Sequence, residues 1–183
     1  MLIDFEQARL LRMLNDPHNR EEGFRMLMKH FGKNLYWHIR RIVVSHDDTE
    51  DVFQEMCIKV FDSIGKFRGE ADMKIWLYRI ATNEAMQHLR RQKRWFQSLD
   101  TLSDTLQETL VAETPVDAVA AEVTFQRALL TLPTQQRMVF NLRYYDELSY
   151  EDISAITGKN VGTLKTNYHY AVEKIKEYIK KNV

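Results

Sequence analysis

KFRGEADMKIWLYRIATNEAMQHLRRQKRW, Lys66 to Trp95, opens with a short loop holding one glycine, Phe67-Arg68-Gly69-Glu70-Ala71. It then runs to Trp95 without Gly or Pro, the two residues that most disfavour a helix interior, so one long helix is predicted. Leu77, Ile80, Ala81, Ala85 and Leu89 recur at helical spacing and predict a buried stripe. Trp76, Asn83, Gln87, Arg90 and Arg94 fall on another side of the same helix. The segment holds eight Lys/Arg against three acids, a local net of +5, while the whole chain nets zero. The excess is therefore a patch and not a bulk property. Cations interleaved with aromatics and amides suit a strand of nucleic acid: charge holds phosphate, rings stack on unpaired bases, and amides read base edges. From this segment alone, a solvated helix end with Arg90 to Arg94 at the negative pole of the dipole is an equal reading.

Working outward, 183 residues allow one domain or two small ones. A chain that is 44% hydrophobic and 28% charged has the composition of an ordinary globular protein, and six glycines with three prolines favour long helices. The lone Cys57 excludes a disulfide framework and, within an apolar helical run, reads as a small core residue. The N-terminal MLIDFEQARLLRML does not resemble a signal peptide, and no apolar run approaches the ~20 residues of a membrane span. A cytoplasmic protein is expected.

Helices are predicted over about Asp4 to Leu14 and His18 to Val44, the second with Phe24, Leu27, Met28, Phe31, Leu35, Ile39 and Ile42 as its core stripe. The next, Asp47 to Ile64, buries Val52, Phe53, Met56, Cys57, Val60, Phe61 and Ile64. Its first half carries Asp47, Asp48, Glu50, Asp51 and Glu55, more acids than a helix dipole needs. An acidic face beside a basic one points to a protein partner for the first and nucleic acid for the second. After Trp95 the composition shifts: Gln97 to Ala118 has five acids, Pro115, many Ser/Thr and no Lys or Arg, and reads as a linker with a helical turn around Leu102 to Leu106.

The second half reads as a helix from Ala120 to Thr131, then one with Pro133 at its first position, reaching Tyr144 or Tyr145. Ser149 caps a short helix with Asp152 three residues on, and that helix ends at Gly158. Asn160 caps a last helix reaching about Lys180, with Leu164, Tyr168, Ala171 and Ile175 on its packed face. Lys165, Thr166, Asn167, His169 and Tyr170 lie off that face. A short helix, a glycine turn and a second helix with polar residues in its first half form a helix-turn-helix pattern. From Lys159 on, six Lys/Arg against two acids strengthen it.

Two motif sets in a fixed order resemble a known family. Asp48-Thr-Glu-Asp-Val-Phe-Gln-Glu55, Phe67-Arg68-Gly69 and Trp76-Leu77-Tyr78-Arg79-Ile80-Ala81-Thr82-Asn83 resemble region two of bacterial RNA polymerase sigma factors of the small extracytoplasmic-function (ECF) group, in the sigma-70 family. Leu132-Pro133, Arg137, Leu142-Arg143-Tyr144, Leu148 to Ile153 and Val161 to Lys165 resemble region four. The resemblance implies an all-α chain of two small helical domains, 1–96 and 119–183, the second a helix-turn-helix, joined by a flexible acidic linker, 97–118. It implies a protein that binds polymerase core and directs promoter recognition, melting and transcription initiation. The implied core contacts are Asp48, Asp51, Gln54 and Glu55. Phe67 and Arg68 would hold a base pulled from the non-template strand, Asn83 and Gln87 would read base edges, and Arg90, Arg91 and Arg94 would hold phosphates. Thr163, Lys165, Thr166, Asn167, His169 and Tyr170 would enter the major groove of an upstream element. The recognition helix departs from the family pattern at Asn167 and Tyr170, where arginines are usual. Many family members pair with an inhibitory anti-sigma protein, so such a partner is a further expectation.

No nucleophile–base pair and no metal-ligand spacing occurs in the sequence, so no catalysis, metal or cofactor is expected. Three rivals remain open on the residues: a two-domain helix-turn-helix regulator acting without core, a helical hydrolase using the Asp47 to Glu55 carboxylates with a divalent metal, and a protein-binding helical adaptor.

Overall fold

The computed structural model describes residues 2–67, 69, 72–96 and 120–182. Among them the chain forms eight α-helices: α1 Leu2–Asn15, α2 Arg20–Val43, α3 His46–Ser63, α4 Met73–Phe96, α5 Ala120–Leu130, α6 Thr134–Tyr144, α7 Tyr150–Thr157 and α8 Val161–Asn182, with a 3-10 turn at Ile64–Lys66. The predicted linker and its helical turn lie outside the described residues. Two expectations shift. Asp16 accepts from the amides of His18 and Asn19, which folds Pro17 to Asn19 into a turn and delays α2 to Arg20. Pro133, at φ −52 and ψ 140, is the N-cap of α6 and not its first residue.

The first half is a bundle in which α2, α3 and α4 pack pairwise and α1 lies along α2. The predicted stripes meet at its centre: Leu27, Leu35 and Ile39 of α2, Val52, Met56 and Val60 of α3, and Leu77, Ala81 and Ala85 of α4 are all fully buried. A glycine sets the α1–α2 approach, because a Cβ on Gly23 would stand 3.1 Å from Met13 Cβ and 3.2 Å from Leu14 Cγ.

In the second half α8 packs on α5, α6 and α7. Phe140 stacks on Tyr144 and Tyr168 at centroid distances of 5.1 and 5.6 Å, and Ala128, Leu129, Leu132, Ala171 and Ile175 close the core beside it. The capping box at α7 forms as the sequence predicts: Ser149 Oγ accepts from Asp152 N–H at 3.0 Å, and Asp152 Oδ2 accepts from Ser149 N–H at 3.2 Å. Gly158 ends α7 in the left-handed region at φ 71, and Asn160 Oδ1 accepts from Thr163 N–H at 2.8 Å to start α8. The two halves touch: α7 packs on α4 and α6 on α2. Met138, Val139, Leu142, Leu148, Ile153 and Ile156 thereby join the same buried cluster as the α2–α4 core.

The turn between α7 and α8 depends on backbone conformation alone, since no atom lies within 4 Å of a Cβ built on Gly158. Gly158→Ala should therefore destabilise the fold by about 1–2 kcal/mol through left-handed strain, and Ser149→Ala by about 1 kcal/mol through the lost cap. Equilibrium urea unfolding measures both; no change in Gly158→Ala would contradict the strain.

Candidate protein and nucleic-acid interfaces

On α3 the residues that do not enter the core form an outward line at helical spacing: Asp47, Asp51, Gln54, Ile58 and Asp62, all exposed. Ile58 is 61% exposed, an aliphatic knob in an acidic row. Sequence reading passed over it because it adjoins the buried stripe; its signal is that it falls in register with Asp51 and Gln54. Two of the predicted core contacts are turned instead toward α4. Asp48 accepts from Gln92 Nε2 at 2.8 Å and lies 3.3 Å from His88 Nε2. Glu55 pairs with Arg91 at 2.9 Å, with side chains 45% and 52% exposed.

On α4 the predicted reading face is one exposed stripe of Asn83, Gln87, Arg90 and Arg94, and Arg79 extends it by one turn toward the N-terminus. Arg91 stands off the stripe because it is directed at Glu55. Arg79 is exposed, yet its Nε donates to the carbonyl of Ala155 in α7 at 3.0 Å. Phe67 is 8% exposed, with its ring centroid 5.1 Å from that of Trp76. It packs against Trp76 and is not a free stacking platform. Arg68 lies outside the described residues. The buried side of α4 also carries Thr82 and Glu84, which the apolar pattern did not predict. Glu84, with its side chain 4% exposed, takes Lys59 Nζ at 2.6 Å.

On α8 the predicted groove residues face outward. Thr163, Lys165, Thr166 and His169 are exposed, Asn167 is half-buried, and Tyr170 is 52% exposed. Lys165 Nζ stands 5.7 Å from the centroid of Tyr150, which steadies it at the start of the helix. Thr166 Oγ1 donates back to Gly162 O at 3.0 Å, so its methyl and not its hydroxyl is offered outward. The surface is a helix-turn-helix, and the predicted groove residues of its second helix present one lysine, one amide, the Thr163 hydroxyl and two rings.

With these faces in place, comparison with known proteins is decisive. The sigma-70 region 2 model matches residues 27–96, and the sigma-70 region 4 model matches 122–175. This chain belongs to the sigma-70 family. The ECF RNA polymerase sigma-E factor of Escherichia coli K12 is 32% identical over 164 residues, 85% of each chain. The ECF RNA polymerase sigma factor SigW of Bacillus subtilis is 27% identical over 169 residues, 87% of this chain and 90% of that one. In fold, the chain resembles the sigma factor RpoE solved with the anti-sigma factor NepR from Bartonella quintana, with a TM-score of 0.71 and 24% identity over 86% of this chain and 96% of that one. The protein is an ECF sigma factor, which binds polymerase core and selects promoters. A regulator acting without core is not favoured, because region 2 is present over its own helices α2 to α4.

Two of the ion pairs between α3 and α4, Glu55–Arg91 and Lys59–Glu84, differ in burial, and that decides their worth. The exposed Glu55–Arg91 pair should contribute under about 1 kcal/mol in a double-alanine cycle. Lys59→Met should cost about 3 kcal/mol, because it strands the buried Glu84 carboxylate. Urea denaturation of the variants checks both, and equal effects would contradict the burial argument.

Proposed function

We propose that this sigma factor divides its work among three faces. The outer line of α3, with Asp51, Gln54 and Ile58, seats on polymerase core. The exposed stripe of α4, with Asn83, Gln87, Arg90 and Arg94, reads and holds the promoter-proximal strand. The exposed side of α8, with Lys165, Asn167, His169 and Tyr170, reads an upstream duplex element. The domains run over 1–96 and 119–183. Carrying this reading is one observation: the acidic line of α3 and the basic stripe of α4 belong to the same small bundle but are separate faces, so core and DNA can be held together without competing for a side chain.

Charge supports the first contact and chemistry the second. An acidic line suits a basic partner surface and speeds encounter, while a central aliphatic knob supplies area that is desolvated on binding. Asn83 offers both a donor and an acceptor to a base edge, whereas Arg90 and Arg94 neutralise phosphate and impose salt dependence. Glu55 and Arg91 are shared between the two faces through their ion pair and contribute to neither alone. The sigma factor supplies recognition and leaves catalysis to the polymerase, so it acts in the cytoplasm and without a cofactor. Among the described residues no helix is long and apolar enough to cross a membrane. An anti-sigma protein is a further expected partner, supported by the solved complexes of RpoE with NepR and of CnrH with the cytosolic domain of CnrY.

The faces separate by mutation. Asp51→Lys and Ile58→Ser should each weaken core binding about tenfold or more without lowering the melting temperature, as expected for side chains near the centre of an interface. Asn83→Ala should keep core affinity and impair open-complex formation, read by permanganate reactivity of unpaired thymines. Loss of core affinity in Asn83→Ala, or full affinity in Asp51→Lys, would contradict the division.

A further inference from the structure

Three faces carry the proposed contacts, and the outer side of α2 is in none of them. There Met26, His30, Lys33 and Trp37 form one exposed row, with Lys29 beside it. Met26 is 41% and Trp37 47% exposed. A single exposed apolar side chain is ordinary; two on one helix row make a surface that a partner can dry. The row is also cationic. From Gly23 to His46 the sequence has Arg25, Lys29, Lys33, Arg40 and Arg41 and no Asp or Glu. Arg25 is paired with Glu22 and Arg40 is buried. Among the described residues, Lys29 and Lys33 meet no carboxylate.

The neighbouring helix carries the complement. From Asp47 to Asp62 there are six acids and one lysine. The outward line of α3, Asp47, Asp51, Gln54, Ile58 and Asp62, holds three of those acids around the exposed Ile58. Both rows advance by four, three and four residues, over 26, 30, 33, 37 and over 47, 51, 54, 58. That step is the narrow seam along which two helices pack side by side. Within one chain the rows do not meet: α2 and α3 pack through Phe24 on Phe61 and Tyr36 on Phe53, and both rows stay in solvent. The whole chain nets zero charge, so no long-range repulsion keeps two copies apart.

We propose that the α2 row of one molecule seats on the α3 line of a second copy of this chain, head to tail, and that a chain capped in this way cannot take polymerase core. Laid in the same direction, the matched spacing puts Trp37 on Ile58 and sets Lys29, His30 and Lys33 around Asp51 and Gln54. The ring and the aliphatic knob exclude water, while the charges set direction and register. The contact joins two different surfaces, so each copy still offers one row to the next, and the assembly grows with concentration. A seam of about 16 Å, three helical turns, is small, and contacts of that size are weak and transient. The self-contact stands on the two rows alone. Its exclusion of core rests on the reading of α3 as the core seat, and the two are tested separately.

Sedimentation velocity of the full-length protein reads the self-contact. At low salt the wild-type mass should rise above that of the monomer between about 1 and 100 µM, as a small interface allows. At about 1 M salt, where charges are screened within ~3 Å, it should fall back to the monomer. Lys33→Glu spoils the basic row and Asp51→Lys the acidic line, so each variant alone should stay monomeric. Mixed in equal amounts they should form a dimer that grows no further, because each keeps the row that the other lacks. Trp37→Ala, with charge unchanged, should weaken association about fivefold or more. A wild type that stays monomeric at low salt would overturn the proposal, as would single variants that associate like the wild type or a mixture that forms no dimer. If the wild type is monomeric and Lys33→Glu weakens binding of a single-stranded oligonucleotide, the row belongs to nucleic acid and the second copy is excluded. For the exclusion of core, fluorescent Lys33→Glu bound to core is challenged with a large excess of unlabelled Asp51→Lys. This challenger should displace core several-fold better than the double variant Asp51→Lys/Lys33→Glu, which has the same weakened core face but no basic row. Equal displacement, with the mixed dimer still forming, would overturn the exclusion and count against α3 as the core seat, while the self-contact stands.

Discussion

A single carboxylate, Asp146, holds the meeting point of the two halves, and the arrangement around it follows from the cost of burying charge. Left unpaired, such a group is strongly destabilising; paired and hydrogen-bonded, it fixes geometry more than it adds stability. His38, Tyr78 and Arg41 satisfy it from two different helices. Moving α6 along α2 by one turn would strand all three partners and uncap the carbonyls of Arg41 and Ile42. Apolar packing of Met138, Val139 and Leu142 supplies area without direction, and the polar set supplies the register.

The candidate interfaces differ from this junction in kind. The line on α3 and the stripes on α4 and α8 are exposed, and their charges are screened in isolation, so their contribution to the fold is small. Their value appears when a partner removes water from them. Hence substitutions on these faces should leave stability nearly intact, whereas Glu84, at least as buried as Asp146, belongs to the fold through Lys59. The same helix α4 serves both purposes, with Thr82 and Glu84 inward and Asn83 and Gln87 outward, as a 3.6-residue period permits.

What could be read from the sequence was local. Helix spans, the Ser149–Asp152 box, the Gly158 turn and the apolar stripes involve residues within a few positions of one another, and the structure has them where the pattern put them, apart from the start of α2 and the place of Pro133. The two motif sets identified the family. Non-local pairing was not legible: Asp146 belongs to no local motif, and its partners His38 and Tyr78 lie 108 and 68 positions away. Arg91 looked like its neighbour Arg90 until the packing of α3 gave it Glu55, and Phe67 looked available until Trp76 covered it. Ile58, outside the predicted stripe, shows its exposure only once α3 is packed.

The dependence of the whole chain on that junction is tested most directly by small-angle X-ray scattering of the free full-length protein at low concentration. A compact 183-residue chain should have a radius of gyration of about 16 Å. A value within about 2 Å of this, independent of moderate salt, is predicted for halves joined through buried groups. A radius well above about 20 Å, with the broad distance distribution of two bodies moving separately, would contradict it.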